Sequence, residues 1–257
     1  MRAEARIVAA SDGRGGTRLA VLRGESPLLL RRTGRPAGGG LTVHLVGGAA
    51  GPLRGDELRL DVVVEPGARL EMLSVAASLA LPGRPAPPSR LTVTASVAAG
   101  GTLRWLPEPL IAAAGCDHDV VTRVDVAEGG TLLWRDDLVC GRHQEASGAV
   151  RSDTLIRYAG AALYRHELAV GPGAPGWDGA AVLGGGRAIG TAVLAGPDLP
   201  EPAVLGADAA SMRLAGPGVL ATAVGEDIRQ VKAALDPWCG LGSVRLAMGL
   251  APLSRTG

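Results

Sequence analysis

The sequence predicts a mostly β fold: a layered, β-helix-like stack of repeated strand-turn-strand units, with a C-terminal helix. Three observations carry that prediction. First, a glycine followed three residues later by Leu recurs at Gly67, Gly100, Gly129 and Gly160, in "PGARL", "GGTL", "GGTL" and "GAAL", at spacings of 33, 29 and 31 residues. Second, apolar residues alternate before the first three glycines: Leu58, Leu60, Val62 and Val64, then Leu91, Val93, Ala95 and Val97, then Val120, Val124 and Val126 with Thr122 in phase. A period of two marks a half-buried strand, and glycine supplies the positive φ that a tight connection needs. Third, Gly (39) and Pro (18) are abundant while Phe is absent, which favours many turns and an aliphatic core.

Each repeated glycine leads into a second short run: "LEMLSV", "LRWLPE", "LLWRDD" and "LYRHEL". The expected unit is therefore a hairpin, and a hairpin cannot bury its own apolar face. Repeated hairpins must stack and share a core. Ahead of the repeats, "ARIVAA" and "TRLAVLRG" predict a strand pair, and "LTVHLVG" (41–47) a further strand. "GRPAPPS" (83–89) is too proline-rich for a sheet interior, and "GPGAPGWDG" (171–179) reads as a loop. "MRLAGPGVLATAVG" (212–225) predicts a hairpin across Gly216-Pro217-Gly218. In "EDIRQVKAALDPW", Ile228, Val231, Ala234 and Leu235 fall at helical spacing, acidic residues occupy the expected first turn, and Asp236-Pro237 is the expected stop. The whole reads as one domain over 1–257, with hairpin layers over about 55–170 and a C-terminal hairpin and helix over about 210–250.

A formal net charge of +1 gives no reason to expect nucleic acid or an anionic membrane as partner. Three cysteines without framework spacing suggest a reducing compartment, and the N-terminal run carries no signal-peptide pattern, so the expected location is cytoplasmic. No eighteen apolar residues run uninterrupted. "LGGGRAIG" (183–190) misses dinucleotide-loop spacing by one residue, and no strand-helix alternation surrounds it. No nucleophile elbow is present, so no catalytic residue is assigned. Cys140, His143 and Glu145 in "CGRHQE" could ligate a transition metal in a small metal-binding enzyme or domain; a closed structural site would need a fourth ligand, and no tightly held static metal is expected.

Five stretches together resemble the urease accessory protein UreD family. "GPLRGDELRLDVVVEPGARL" (51–70), with Gly55 and Asp56, resembles a G-x-x-x-G-D-x-L-x-x-x-V segment. "GGTLRWLPEPLI" (100–111) resembles the specific W-L-P signature at Trp105, Leu106 and Pro107. "LLWRDDLVCGRHQEASG" (132–148) resembles a W-x-D/E segment followed by G-R, here Gly141 and Arg142, with Glu145 downstream. "LYRHEL" (163–168) and the "DIRQVKAAL" helix complete the match. The family's usual Lys-aromatic-Arg stretch is replaced by "SVAASLALPGRP" (74–85), and the family's Phe two residues after the Glu is Ser147.

The resemblance implies a non-enzymatic scaffold. It would bind the F accessory protein, through it the nickel GTPase G, and apo-urease, and would conduct Ni²⁺ in transit without a stably held cofactor. It implies Asp56, Glu145 and Glu167 as transit carboxylates. Imidazole and thiolate bind nickel tightly and would trap it, whereas carboxylates and water exchange faster and an acidic lining raises local cation concentration.

Overall fold

The structure is a computed structural model that describes residues 1–34 and 39–241; residues 242–250 of the expected C-terminal region lie outside the described residues. In chain order the strands are β1 (Arg2–Ser11), β2 (Thr17–Gly24), β3 (Leu28–Gly34), β4 (Leu41–Gly47), β5 (Glu57–Val64), β6 (Arg69–Ser74), β7 (Ser78–Ala80), β8 (Ser89–Val97) and β9 (Thr102–Leu106). They continue with β10 (Leu110–Ala112), β11 (Asp117–Val126), β12 (Thr131–Val139), β13 (Ala149–Tyr158), β14 (Ala161–Val170), β15 (Ala188–Ala195), β16 (Val204–Gly206), β17 (Ala209–Arg213) and β18 (Gly218–Gly225), and end in helix α1 (Ile228–Trp238).

Two sheets face one another. One has the order β14-β13-β11-β8-β5-β1-β2, the other β16-β17-β18-β15-β12-β9-β6-β4-β3. The predicted layering holds, but the expected hairpin is corrected at the first three repeats. At Gly67, Gly100 and Gly129 the chain does not fold back on itself; it crosses from one sheet to the other. β5 pairs in parallel with β8, β8 with β11, and β11 with β13. On the opposite wall β4, β6, β9 and β12 form a second parallel ladder. Each unit is thus one coil of a β-solenoid, and its strands bond to the same strand of the next coil. Only at Gly160 do the flanking strands, β13 and β14, pair antiparallel as a hairpin. The alternation is identical in both cases, because one buried face is all that alternation encodes.

The thirty-residue spacing is therefore the length of one coil. Successive corners stack by backbone bonds: Ala98 N–H donates to Val64 O at 2.9 Å, Ala127 N–H to Val97 O at 2.8 Å, and Ala159 N–H to Val126 O at 2.8 Å. Gly67, Gly100 and Gly129 have φ between 69° and 76°, a range costly for residues with a Cβ. The inward residues of the coils, among them Leu60, Val62, Leu70, Leu103 and Leu132, are buried and form the main core.

The remaining local predictions mostly stand. β1 and β2 pair antiparallel, β4 covers 41–47, and β17 and β18 form the C-terminal hairpin. The acidic residues expected in the first helical turn lie before it: Asp227 is the N-cap, accepting from Arg229 N at 2.8 Å and Gln230 N at 3.2 Å. The expected stop at Asp236-Pro237 is also passed, since Pro237 sits inside the last turn. Asp236 Oδ1, 2.5 Å from Arg135, ties that turn to the sheet. Val231 and Leu235 are fully buried against the outer face of the larger sheet. Gly190 on β15 permits this approach: a Cβ there would lie 2.5 Å from both Val231 Cγ1 and Asp137 Oδ1.

Candidate functional site: a cavity between the sheets

A cavity of about 490 Å³ lies between the two sheets. Its walls are inward residues of the coils, in phase with the alternation that builds the core. Much of the lining is aliphatic, from residues such as Leu60, Val93 and Ile189. Polar side chains interrupt it, Asp56, His118, Asp136 and His166 among them, and the chemistry of the cavity resides there.

Asp56 lies in the wall where β5 begins. Its side chain is 7 % exposed, and it accepts from Leu53 N at 2.9 Å and from the Met1 amino group at 2.6 Å. Gly55, with φ of 84°, turns the chain so that Asp56 points inward. The W-L-P signature divides its residues between the two sides of the sheet. Trp105 faces inward, Leu106 packs beneath α1, and Pro107 lines the cavity.

Trp105 and Trp134 are register partners on β9 and β12, and their rings stack with centroids 4.7 Å apart and planes 9° from parallel. Two residues beyond Trp134, Asp136 faces the cavity and accepts from Trp134 Nε1 at 2.8 Å. Burial pushes its pKa up to about 6; the indole N–H of Trp134 is the main opposing influence, and the neighbouring Asp137 pushes it further up. Trp105 Nε1 is buried, completes no hydrogen bond, and favours the charged form of Asp136 at longer range. Across the cavity, Tyr164 sits against Asp136 and Thr191. Its phenol is pushed up to about 12, by burial first and by the Asp136 charge second, while Thr191 opposes the shift.

Two imidazoles also line the cavity. His118 Nδ1 is 2.8 Å from Ser89 Oγ, and burial lowers the pKa of His118 to about 4 against the pull of the Ser89 backbone and the Asp119 charge. Burial lowers the pKa of His166 as well. Burial thus favours the neutral ring at both positions, the form that does not repel a cation.

The three carboxylates singled out from the sequence are not brought together. Asp56 lines the cavity. Glu145 lies in the loop after β12 and does not line it. Arg142 donates to Glu145 from Nε at 2.8 Å and from its terminal nitrogen at 2.6 Å, and those bonds hold the carboxyl near a pKa of about 2. Gly141, with φ of 86°, makes this fold-back possible: a Cβ there would lie 2.5 Å from Glu145 O. Glu167 is on the outward face of β14, 67 % exposed and 2.7 Å from Arg165, while its neighbours His166 and Leu168 face the cavity. Cys140 is buried with its thiol pushed up to about 11, and His143 is exposed. Among the described residues no three His, Cys, Asp or Glu side chains converge as metal ligands, so Cys140, His143 and Glu145 do not form the ligand set of the alternative reading.

Sequence reasoning therefore missed Asp136, His118, His166 and Tyr164 as cavity residues. The signal for Asp136 was available. It is the acidic position of the W-x-D/E segment, and it shares the alternation phase of Leu132 and Trp134, both core residues. His118 and Thr122 are likewise in phase with Val124 and Val126, but polar residues in an apolar phase read as interruptions until the opposite wall is in place.

The sequence profile of the family described as "UreD urease accessory protein" matches residues 1–255. A "Urease accessory protein UreD" of Streptomyces avermitilis is 47 % identical over 241 residues, covering 92 % of this chain and 95 % of that protein. "Urease accessory protein UreD 3" of Streptomyces griseus is also 47 % identical, over 243 residues, with the same coverage of both chains. A "Urease accessory protein UreD" of Frankia alni is 41 % identical over 281 residues, covering 92 % of this chain and 93 % of the relative. Among the described residues no helix is long and apolar enough to cross a membrane. With a β-solenoid that seats the W-L-P and W-x-D segments side by side on one wall, and relatives matched over nearly their full length, the chain belongs to the UreD family of urease accessory proteins.

Proposed function

We propose that this chain is a cytoplasmic, non-catalytic scaffold of urease maturation. It binds the F accessory protein, through it the nickel GTPase G, and docks on apo-urease. Nickel is its cargo, and the inter-sheet cavity is the passage.

The observation that carries this reading is the cavity itself, set between the two ladders and lined by Asp56, Glu108, Asp136 and Asp137 among many aliphatic residues. Carboxylates in a low-dielectric enclosure attract a divalent cation strongly, yet among the described residues no three ligating side chains converge to encircle one. Such a lining favours entry without capture. Asp56 and Asp136 act inside. Glu145 and Glu167, outside the cavity and ion-paired, enter the proposal only as groups on the approach to it.

Co-expression of the tagged chain with urease subunits and the F and G proteins, followed by pull-down and urease assay, tests the proposal. Recovery of the assembly, with activation dependent on this chain, is the expected result. Asp56→Ala should leave recovery intact and lower activation. Failure to recover partners, with activation proceeding in the absence of the chain, overturns the scaffold reading; wild-type activation by Asp56→Ala overturns its transit role.

A further inference from the structure

The two edges of the seven-stranded sheet are unlike. At one edge, β14 carries Arg165, which lies 2.7 Å from Glu167 and 3.6 Å from Asp153 on the neighbouring strand. Charge is cancelled there on the spot. At the other edge lies β2, which among the described residues pairs with β1 alone. Glu25 N–H donates to Glu4 O, so Arg23 and Val21, in phase with Glu25, are the β2 residues that bond to β1. The intervening Leu22 turns its N–H and C=O away from β1. That is a free rim to which a further strand can bond.

The side chains along this edge are apolar or basic. Val21 is 37 % and Leu22 39 % exposed, so both sides of the strand offer apolar surface. Arg6 and Arg23 are register partners, and Arg18 is opposite Ala10 in the same hairpin. Ile7 and Leu19 pack toward the core, which puts all three arginines on the outer side, where they are exposed. Among the described residues Arg6 and Arg18 form no ion pair, and Arg23 comes only within 4.0 Å of Glu25. The carboxylate beside Arg6 in register, Asp61, is held by Arg59 at 3.2 Å. Residues 1–34 carry seven arginines against Glu4, Asp12 and Glu25, although the whole chain is only +1.

We propose that the β2 edge is a docking site for an extended acidic segment of a partner protein, which adds to the seven-stranded sheet as a further strand. The proposal rests on the scaffold reading and adds to it a surface and the chemistry of its occupant. Main-chain bonds at Leu22 hold an extended chain, Val21 and Leu22 cover its apolar side chains, and the arginines select its charge. A second copy of the edge would set arginine against arginine. The chain's own residues 242–257 carry Arg245 and Arg255 and no acidic residue. A nucleic acid would meet the arginines but has no peptide main chain to offer the rim. An acidic strand satisfies the rim, the apolar surface and the arginines together.

Three fluorescent probes titrated against the full chain test the site by anisotropy: a short peptide alternating Glu with Val, its counterpart alternating Lys with Val, and a single-stranded RNA matched in charge to the first. The acidic peptide should bind the wild-type chain and protect the Leu22 amide from hydrogen exchange. Arg18→Glu with Arg23→Glu should weaken that peptide by about ten-fold and strengthen the lysine peptide by a similar factor, a swap that a damaged edge would not show. Leu22→Pro removes the outward N–H and no bond to β1, and should weaken the acidic peptide with every arginine in place. Absence of binding, or equal binding by the charge-reversed chain, overturns the site. So does RNA bound as tightly as the acidic peptide and indifferent to Leu22→Pro, or a wild-type dimer that Leu22→Pro dissolves. Partner recovery in the co-expressed assembly separates the two readings. Equal recovery by the wild-type and charge-reversed chains overturns the site and leaves the scaffold standing; no recovery by the wild-type chain, with the peptide swap intact, overturns the scaffold and leaves the strand site.

Discussion

The two faces of the seven-stranded sheet use the same residue types to opposite ends. On its outer face nearly every carboxylate has an arginine. Arg59 meets Asp61 at 3.2 Å, Arg151 bridges Asp117 at 2.8 Å and Asp119 at 2.7 Å, Arg165 lies 3.6 Å from Asp153, and Arg123 also pairs with Asp153. Thr94 adds its hydroxyl to Asp61. Toward the cavity the sheet presents Thr122, Thr154 and His166 with no arginine among the described lining residues, and the facing wall contributes Asp136 bonded to an indole. Outside, charges are cancelled locally and screened by solvent, so they keep the sheet soluble and favour no ligand. Inside, Asp136 is buried with no arginine or lysine among the described lining residues, and its pKa is raised accordingly.

The largest effect that sharpens this contrast lies under the helix. Arg135 and Asp137 form an ion pair with side chains 3 % and 1 % exposed, and Arg135 also reaches Asp236 on α1. Arg135→Ala leaves Asp137 buried without a counter-charge and should destabilise the chain by about 3–5 kcal/mol in denaturant unfolding. An effect below about 1 kcal/mol would show that the interior handles charge as the surface does.

Next is the pH dependence contributed by Asp136. Its folded pKa is raised to about 6, so between about pH 4 and 6 the folded chain holds a proton that the unfolded chain has released. Stability should therefore rise as pH falls through 6 toward 4 and level off below the unfolded value. The expected amplitude is about 2 kcal/mol, reduced from the full linkage value because the carboxylate opens onto the cavity. Asp136→Asn should flatten this slope in unfolding curves measured across that window.

A smaller effect comes from matched hydroxyl deletions. Thr154→Val should be near neutral, because the Thr154 side chain faces the cavity and not a charged partner. Thr94→Val on the outer face should destabilise by about 1 kcal/mol, because it removes a bond to Asp61. Equal effects in thermal melts would break the comparison. The smallest effect is expected from Arg151→Ala. Its two surface pairs should be worth less than about 1 kcal/mol in total and should weaken further when salt is added.

Much of the fold was legible in local chemistry. Alternation located the strands, the glycines located the corners, and the thirty-residue interval announced a layered stack, since each reports on one residue's own conformational freedom or one strand's own two faces. Hairpin and coil could not be told apart that way. Val64-Glu65-Pro66-Gly67 and Tyr158-Ala159-Gly160 both turn the chain between alternating strands, yet only the second closes a hairpin, because pairing depends on which strand arrives alongside. The helix was legible from its spacing, but its end was not: Pro237 is accommodated because Arg135, a hundred residues earlier, holds Asp236 in the last turn.

The candidate site divides along the same line. The sequence by itself determined the family segments and placed Asp56, Trp105 and Trp134 in them, since motif and phase are properties of adjacent residues. Only the tertiary structure decided that Glu145 folds onto Arg142, that Glu167 faces solvent while His166 faces inward, and that Asp136 sits beside Thr191 on one wall with Tyr164 on the other. A cavity belongs to two walls at once, and the strands that build its walls are joined through space rather than along the chain.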